Sequence, residues 1–197
     1  MKRITSVGFV LAAALLLGSC GGNSTLDDSE AAVYITVEIE LYNPDIDVCS
    51  YLANGTDIAI ETMNVVSQAK APGVTLGSSQ DVRILRWVVT PERNDGGSTA
   101  SPQAIFDQGI LVPAGGSTDL DNWRVYPVEY LNEIPLAYLL PENGGIDPET
   151  AARNIRQRFV LQMFGETSSG QSVASVPPSI QFNCFCGRPE RAGGPVP

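Results

Sequence analysis

The sequence contains no histidine, although it has 197 residues. A Ser-His-Asp triad, a Cys-His nucleophile pair and a zinc or haem site with histidine ligands all need an imidazole. The absence therefore excludes these sites and removes a large part of the enzyme repertoire. No other motif indicates catalysis, so we predict that the protein is not an enzyme and has no catalytic residue and no cofactor.

Lysine is almost as rare, because Lys2 and Lys70 are the only two in the chain. The formal net charge is −10, with 22 acidic residues against 12 basic ones. Nucleic-acid binding depends on the neutralisation of phosphates by lysine and arginine, so nucleic acid is not an expected partner. Anionic lipid headgroups would repel such a surface for the same reason.

A long apolar run is also missing. The stretch from Val7 to Leu17 is shorter than the roughly 20 apolar residues that cross a bilayer. It follows the basic pair Lys2-Arg3 and leads into Leu17-Gly18-Ser19-Cys20, which is the order of parts in a secretory signal. The final four residues resemble the lipobox of bacterial lipoproteins. The resemblance implies that residues 1–19 are removed and that Cys20 is acylated and becomes the N-terminus.

Lipidation at Cys20 would place the protein in the cell envelope. Each buried methylene contributes about 0.8 kcal/mol, and two acyl chains anchor a protein stably. Gly21 rather than aspartate follows Cys20, which in enteric sorting favours the outer membrane. The alternative is a plain signal peptide followed by a disulfide cysteine. Residues 20–31 are small, polar and acidic and predict a flexible tether, and residues 187–197 predict a disordered tail.

An alternation of apolar and polar residues, with a period of two, dominates the predicted domain, residues 32–186. Apolar and polar residues alternate from Val33 to Tyr42, which predicts a half-buried strand. The apolar parity shifts between Ile60 and Met63, which predicts a bulge. Strands are predicted at 32–42, 57–66, 82–90, 104–112, 123–128, 134–140, 158–166, 172–176 and 179–185. Pro177-Pro178 cannot donate to a ladder, so an edge or a crossover between sheets is expected there.

These strands favour an all-β fold, an antiparallel β-sandwich, because no alternation of strands with helices is present. The hairpin FGETSSGQSV, residues 164–173, resembles the last two strands of immunoglobulin-like domains on bacterial surface proteins. One short helical turn is predicted near 147–157, since Asp147 offers an N-cap and Pro148 suits the first helical position.

Three cysteines follow the lipobox, and an exported chain meets an oxidising environment. Cys49, Cys184 and Cys186 are therefore disulfide candidates, with one thiol left over. A bridge from Cys49 to either late cysteine would join the two ends of the domain. The alternative is a three-thiolate site for a soft ion such as Cu(I), with Met63 or Met163 as a further ligand.

Two acidic segments could gather oxygen ligands for Ca²⁺. Asn43, Asp45 and Asp47, with Asp57 nearby, form the first, but Val48 stands where an EF-hand loop needs glycine. A second oxygen-rich turn is predicted at Asp119, Asp121 and Asn122. The alternative for both is a loop with local hydrogen bonds from side chain to backbone.

Two patterns look like catalytic motifs. Ser67-Gln68-Ala69-Lys70 matches the S-x-x-K of penicillin-binding enzymes, but these enzymes also need a K-T-G element, and no lysine follows Lys70. Glu38 and Glu40 lie about 6.5–7 Å apart on one face of a strand, within the range of glycosidase carboxylate pairs. Such alternation is also what any solvated strand face has.

Cations and aromatic residues occur together in two strands. We interpret them as strand partners packed through cation–π contacts rather than as a nucleic-acid groove. The residues are Arg83, Arg86, Trp87, Trp123, Arg124 and Tyr126.

Two functional hypotheses remain. The first is a lipid-anchored, non-catalytic envelope protein that binds a neighbouring envelope protein or its own copies, with contacts at edge strands and the loop 91–103. The alternative is a ligand- or metal-binding accessory lipoprotein, which would take Ca²⁺ on the acidic loops or copper on the thiols.

Overall fold

The structure is a computed structural model, and it describes residues 31–187. The predicted signal, Cys20, the tether up to residue 30 and the tail from residue 188 lie outside the described residues. Within the described range, no helix is long and apolar enough to cross a membrane.

The described chain is built mainly of strands. The strands are β1 (Val33–Tyr42), β2 (Asp45–Asp47), β3 (Ile58–Ala69), β4 (Val82–Arg93), β5 (Ala104–Val112), β6 (Ser117–Tyr126), β7 (Asn154–Thr167), β8 (Ser172–Ala174) and β9 (Ser179–Phe185). One α-helix, α1 (Val48–Asn54), follows β2. Short 3-10 helices occur at Ser78–Gln80, Val128–Asn132, Leu136–Leu139 and Pro141–Asn143.

The strands form two sheets. The smaller sheet has the order β1-β3-β6 and is antiparallel. The larger has the order β2-β9-β7-β4-β5, with β8 paired to β7. It is mixed, because β2 runs parallel to β9 while its other pairs are antiparallel. The all-β prediction is confirmed, but the prediction of purely antiparallel pairing is wrong at β2, a three-residue strand that lies directly beside the final strand.

The two sheets share one hydrophobic core. Trp87 of β4 packs against Trp123 of β6 with ring centroids 4.5 Å apart, so the contact joins the sheets. Tyr126 of β6 and Phe159 of β7 do the same at 4.9 Å. The alternation in the sequence thus reflects one buried face for each sheet.

The segment after β8 links the sheets at one edge. Ser175 forms a parallel bridge with Ile35 of β1, and the Val176 amide donates to the Ile35 carbonyl at 2.9 Å. The chain then passes through Pro177-Pro178 and returns to β7 as β9. The two prolines separate β8 from β9, but the expected crossover between sheets is not present there, because both strands pair with β7 and stay in one sheet.

Bulges explain the apolar parity shifts. In β3 the buried side chains are Ile58 and Ile60, then Met63 and Val65, as the sequence predicts. In β4 the register shifts between Ile84 and Arg86. Apolar residues occur on both parities of β4 because of this shift.

Three local predictions are wrong. The helical turn near 147–157 is a turn at 148–150, and β7 begins at Asn154. The predicted strand 134–140 contains the 3-10 helix Leu136–Leu139, whose leucines are buried. The oxygen-rich turn at 119–122 lies inside β6, where Asp119 pairs with Asn64 across the sheet.

Candidate functional site

The three cysteines have two different environments. Cys49, in α1, and Cys186, just beyond β9, form a disulfide with Cα atoms 5.1 Å apart and a sequence separation of 137. Cys184 is a free thiol in the core, and burial raises its pKa to about 12. The two late cysteines separate because β9 ends at Phe185, so the alternation of the strand does not extend to Cys186.

This pairing does not give a three-thiolate site. Two of the three sulfurs are bonded to each other, and Asp47, not Cys184, has a ligand atom within 4.8 Å of both. Met63 and Met163 are fully buried core residues. In this oxidised arrangement the disulfide acts as a covalent link between α1 and the end of β9.

The first acidic segment uses its oxygens locally. Asn43 Oδ1 accepts from the Asp45 amide at 3.1 Å, and Asp47 caps α1 by accepting from an amide of its first turn. Asp57 accepts from the Val128 amide at 2.8 Å. The bonds of Asn43 and Asp47 are the local side chain to backbone bonds of the alternative interpretation, whereas Asp57 binds an amide 71 positions away.

The S-x-x-K residues do not form a nucleophile pair. Ser67 lies in β3, whereas Lys70 lies one position beyond the end of this strand at Ala69, and the Ser67 hydroxyl has no hydrogen-bond partner among the described residues. Ser67 is buried at 1% exposure and Lys70 is exposed. In an S-x-x-K site the two side chains must meet.

The outer face of the small sheet is acidic. Glu38 and Glu40 are exposed on β1, as expected for a solvated strand face. Five exposed carboxylates lie on the three strands of this sheet: Glu38, Glu40, Glu61, Asp119 and Asp121. Copies of the protein would repel one another through this surface.

In the two strands for which cation–π contacts are predicted, most of the aromatic side chains are buried in the hydrophobic core. Trp87 stacks on Phe106 of β5 with centroids 5.0 Å apart, and the Arg124 guanidinium lies 4.8 Å from the centre of the Phe106 ring. The interpretation as packing between strands is confirmed for Arg124, with Phe106 rather than tryptophan as its ring partner.

A buried charged cluster was not anticipated from the sequence. Arg93, at the end of β4, donates from Nε to Asp95 at 2.8 Å and from Nη2 to Asp147 at 2.8 Å. The exposed fractions of these three side chains are 2%, 8% and 0%. We call these residues the Arg93 cluster. The combination of Arg-x-Asp with an Asp-Pro turn far along the chain is its only sequence signal.

Hydrogen bonds satisfy the excess negative charge of the cluster. Asp95 accepts from the amides of Gly97 and Arg156, and the Thr150 hydroxyl donates to Asp147 at 2.6 Å. Burial by itself would raise the pKa of both carboxyls. The hydrogen bonds and the Arg93 guanidinium outweigh this effect and hold both pKa values below 3.8.

The cluster fixes the loop 94–103 to the turn that follows Asp147. Glu149 accepts from the amides and hydroxyls of Ser98 and Thr99, which lowers its pKa. The Tyr126 hydroxyl donates to the Pro102 carbonyl at 3.0 Å. The long loop that the sequence offers as a contact region is therefore attached at several points.

The outer face of the large sheet carries an exposed apolar patch. We define the outer patch as Leu85, Val88, Ile105 and Phe164, from β4, β5 and β7; they line an open groove of about 640 Å³. Leu85 points outward because of the β4 bulge, and it is 44% exposed. The sequence of this strand has apolar residues on both parities, a pattern that is also typical of a strand buried on both faces.

A glycine allows the bulge to form. A Cβ on Gly165 of β7 would lie 2.2 Å from the Arg83 carbonyl oxygen and 2.8 Å from the Ile84 Cα. Only a residue without a side chain permits this approach of β7 to β4. The shape of the groove therefore depends on Gly165.

Charge is balanced around the outer patch. Half of the basic residues between positions 31 and 187 are exposed on this face: Arg83, Arg86, Arg156 and Arg158. The face also carries four exposed carboxylates: Asp45, Glu92, Asp107 and Glu166. It is thus electrically neutral on a strongly acidic molecule.

The comparisons with known proteins add little. No protein-family model matches the chain, and no curated protein matches it. Among solved structures, a crystal structure of a protein from Archaeoglobus fulgidus aligns with 81% of this chain and 98% of that chain. The identity is 12% and the TM-score is 0.32, a similarity that supports no conclusion on fold or function.

Proposed function

We propose that this protein is a lipid-anchored protein of the cell envelope, in the outer membrane, that acts as a non-catalytic binding or assembly module for another envelope protein. The observation that carries the proposal is the outer patch. Large apolar side chains are exposed there together on one face of a sheet rather than singly, and contiguous exposed apolar surface is typical of interaction sites.

The charges around the patch support a protein partner. Arg86 and Asp107 pair at 2.7 Å beside it, so an approaching surface meets little net charge. A neutral apolar centre with a charged rim is the usual anatomy of a protein interface. The lipobox resemblance at Cys20 supplies the anchor, and the absence of histidine argues against an enzyme.

We further propose that the two sheets form a β-sandwich of the immunoglobulin-like class. The aromatic contacts between the sheets and the alternation along β1, β3 and β7 support a two-layer arrangement. In such domains exposed strand faces and edges commonly bind partners.

Photo-cross-linking in intact cells tests the binding function. A photoreactive phenylalanine analogue replaces Phe164 in the full chain, and a matched variant carries it at Glu61 on the acidic face. We expect a discrete covalent adduct from position 164, identified by mass spectrometry, and none from position 61. No adduct at 164, or equal adducts at both positions, would contradict the proposal.

The anchor needs a separate test. We expect Cys20→Ala to abolish incorporation of labelled palmitate and to release the protein from the membrane fraction. Cys184→Ala is the matched control, because it removes another cysteine and should leave labelling unchanged. Labelling that persists in Cys20→Ala would contradict lipidation at this residue.

A further inference from the structure

Strand β5 is the outermost strand of the large sheet, and its outer edge has no strand partner among the described residues. Edge strands of natural proteins are usually protected by lysine or proline. The sequence of β5, AIFDQGILV, contains neither. Its protection rests on Asp107 and on the irregular pairing with β4 around Gln108 and Gly109.

The two most exposed large apolar side chains of the described residues both lie on β5. Leu111 is 58% exposed and Ile105 is 55% exposed. They are equally distant from Gln108, and both point to the outer face of the sheet. A strand with this symmetry matches a second copy of itself that runs in the opposite direction.

We propose that two copies of the chain associate through β5, in antiparallel pairing about a two-fold axis at Gln108. In this register Ile105 of one copy lies opposite Leu111 of the other, and Phe106 lies opposite Ile110. Residues that face the core in one copy pair with residues that face the core in its partner. This inference rests on the proposed binding function and goes beyond it, because it adds a second copy of the chain as a partner beside another envelope protein.

The charge distribution of the molecule favours a second copy at this edge. The chain is strongly acidic, so two copies repel each other through most of their surface. The outer face of the large sheet is balanced, and Arg86 already neutralises the Asp107 carboxylate that would approach the axis. Of the two outer faces, this one lets copies meet without a charge penalty.

There is room at the axis. A Cβ added to Gly109 would meet nothing within 4 Å, so the centre of the edge is open. The Thr118 hydroxyl donates to the Leu111 carbonyl at 2.8 Å. Hydrogen bonds between copies are therefore confined to the stretch around Gln108, and side-chain contacts of Ile105 and Leu111 supply the rest of the interface.

A residue on a two-fold axis meets its own copy, which gives a direct test. The full chain carrying Gln108→Cys is oxidised in membranes and run on a non-reducing gel. We expect a covalent dimer of twice the chain mass, confirmed by mass spectrometry. The matched control is Glu38→Cys on β1, an edge strand of the small sheet, which should remain monomeric. Adding Ile105→Arg to Gln108→Cys should lower the dimer yield at least tenfold.

Three outcomes would overturn the inference. Equal dimer yields at positions 38 and 108 would indicate random collision. A yield unchanged by Ile105→Arg would show that the proposed register is wrong. Cross-linking of position 108 to a different protein would exclude the second copy but leave the proposed binding function intact. The same conclusion would follow if position 108 cross-linked to nothing while the photoreactive residue at 164 captured a partner. Protection of the buried Cys184 thiol from maleimide, followed by peptide mass spectrometry, shows that each variant is folded.

Discussion

Arg93 donates a hydrogen bond to Asp147 at 2.8 Å, and both side chains are buried although 54 positions separate them in the chain. The bond joins the end of β4 to the turn before β7. Since Asp95 and Asp147 share one guanidinium, the cluster holds two carboxylates for one cation. The cluster is therefore one of several attachments of the loop 94–103, beside the bonds of Glu149 and Tyr126.

Arg93→Met should be strongly destabilising. The substitution keeps most of the side-chain volume but leaves two buried carboxylates without a cation. Breaking a buried ion pair by removing one partner costs about 3–5 kcal/mol. We expect a loss of this size in the free energy of unfolding, measured by urea titration with tryptophan fluorescence, since Trp87 and Trp123 are both in the core.

Arg158→Met is the matched control for that experiment. Arg158 pairs with Glu92 on the same sheet, but the two side chains are 49% and 45% exposed. Exposed ion pairs contribute about 0–1 kcal/mol, so a small change is expected. Equal losses in the two variants would contradict a special role for the buried cluster.

The cluster also predicts sensitivity to acid. Asp95 and Asp147 have pKa values lowered from 3.8 in the folded protein. Groups with a depressed folded pKa stabilise the protein fully above the unfolded value and lose that contribution as the pH falls through the folded value. We expect the free energy of unfolding to decrease below about pH 4. Urea titrations between pH 2.5 and pH 7, roughly spanning these carboxyl pKa values, measure it.

Asp147→Asn tests the assignment of that pH dependence. The amide cannot titrate, so in this variant the free energy of unfolding should fall less steeply with pH below about pH 4, roughly the range in which carboxyls titrate. Glu38→Gln, which removes an exposed carboxylate on the solvated face of β1, is the matched charge control. A slope that is identical in wild type and Asp147→Asn would assign the acid sensitivity to other carboxylates.

Most of the strand pattern was predictable because burial on one face leaves a period of two. The prediction of β5 has the observed ends, and the shift between Ile60 and Met63 correctly predicts a bulge in β3. The segment 134–140 shows the limit of this reasoning. A short apolar run looks the same whether a strand or a 3-10 helix buries it, and Leu136 and Leu139 are buried in the latter.

The candidate surface was less predictable because it depends on contacts between distant segments. Asp147 and Pro148 have the local signature of a helix start, but the Asp147 carboxylate binds Arg93 and Thr150 and closes a turn instead. Leu85 looks like a core residue in the sequence and becomes exposed because Gly165 permits a bulge on the neighbouring strand. Neither partner can be identified from local sequence.

Gly165→Ala should disrupt the bulge. Its methyl group would lie 2.2 Å from the Arg83 carbonyl oxygen, which is backbone and cannot rotate away. Overpacking of this kind costs about 1–3 kcal/mol. Gly109→Ala is the matched control, because a Cβ there meets nothing within 4 Å. Thermal unfolding of both variants measures the difference, and equal melting temperatures would contradict the close approach of β7 to β4.

The Cys49–Cys186 bridge should stabilise the domain by restricting the unfolded chain. It spans 137 positions, for which the chain-entropy model gives a contribution of up to about 5 kcal/mol. We expect the double variant Cys49→Ala/Cys186→Ala to unfold at much lower urea concentration than wild type. Cys184→Ala removes a cysteine without removing the bridge. If it were as destabilising as the double variant, the loss would reflect core packing instead.

Cys184 should be unreactive in the folded protein, because it is fully buried in the core and its pKa is about 12. Thiol reagents attack through the thiolate, which is scarce at neutral pH for such a group. Maleimide added to the non-reduced protein should therefore not label Cys184 until urea unfolds the chain, as followed by peptide mass spectrometry. Gln108→Cys, at an exposed edge, is the positive control. Fast labelling of Cys184 under native conditions would mean that β9 opens locally, and labelling of Cys186 instead would indicate an alternative Cys49–Cys184 disulfide.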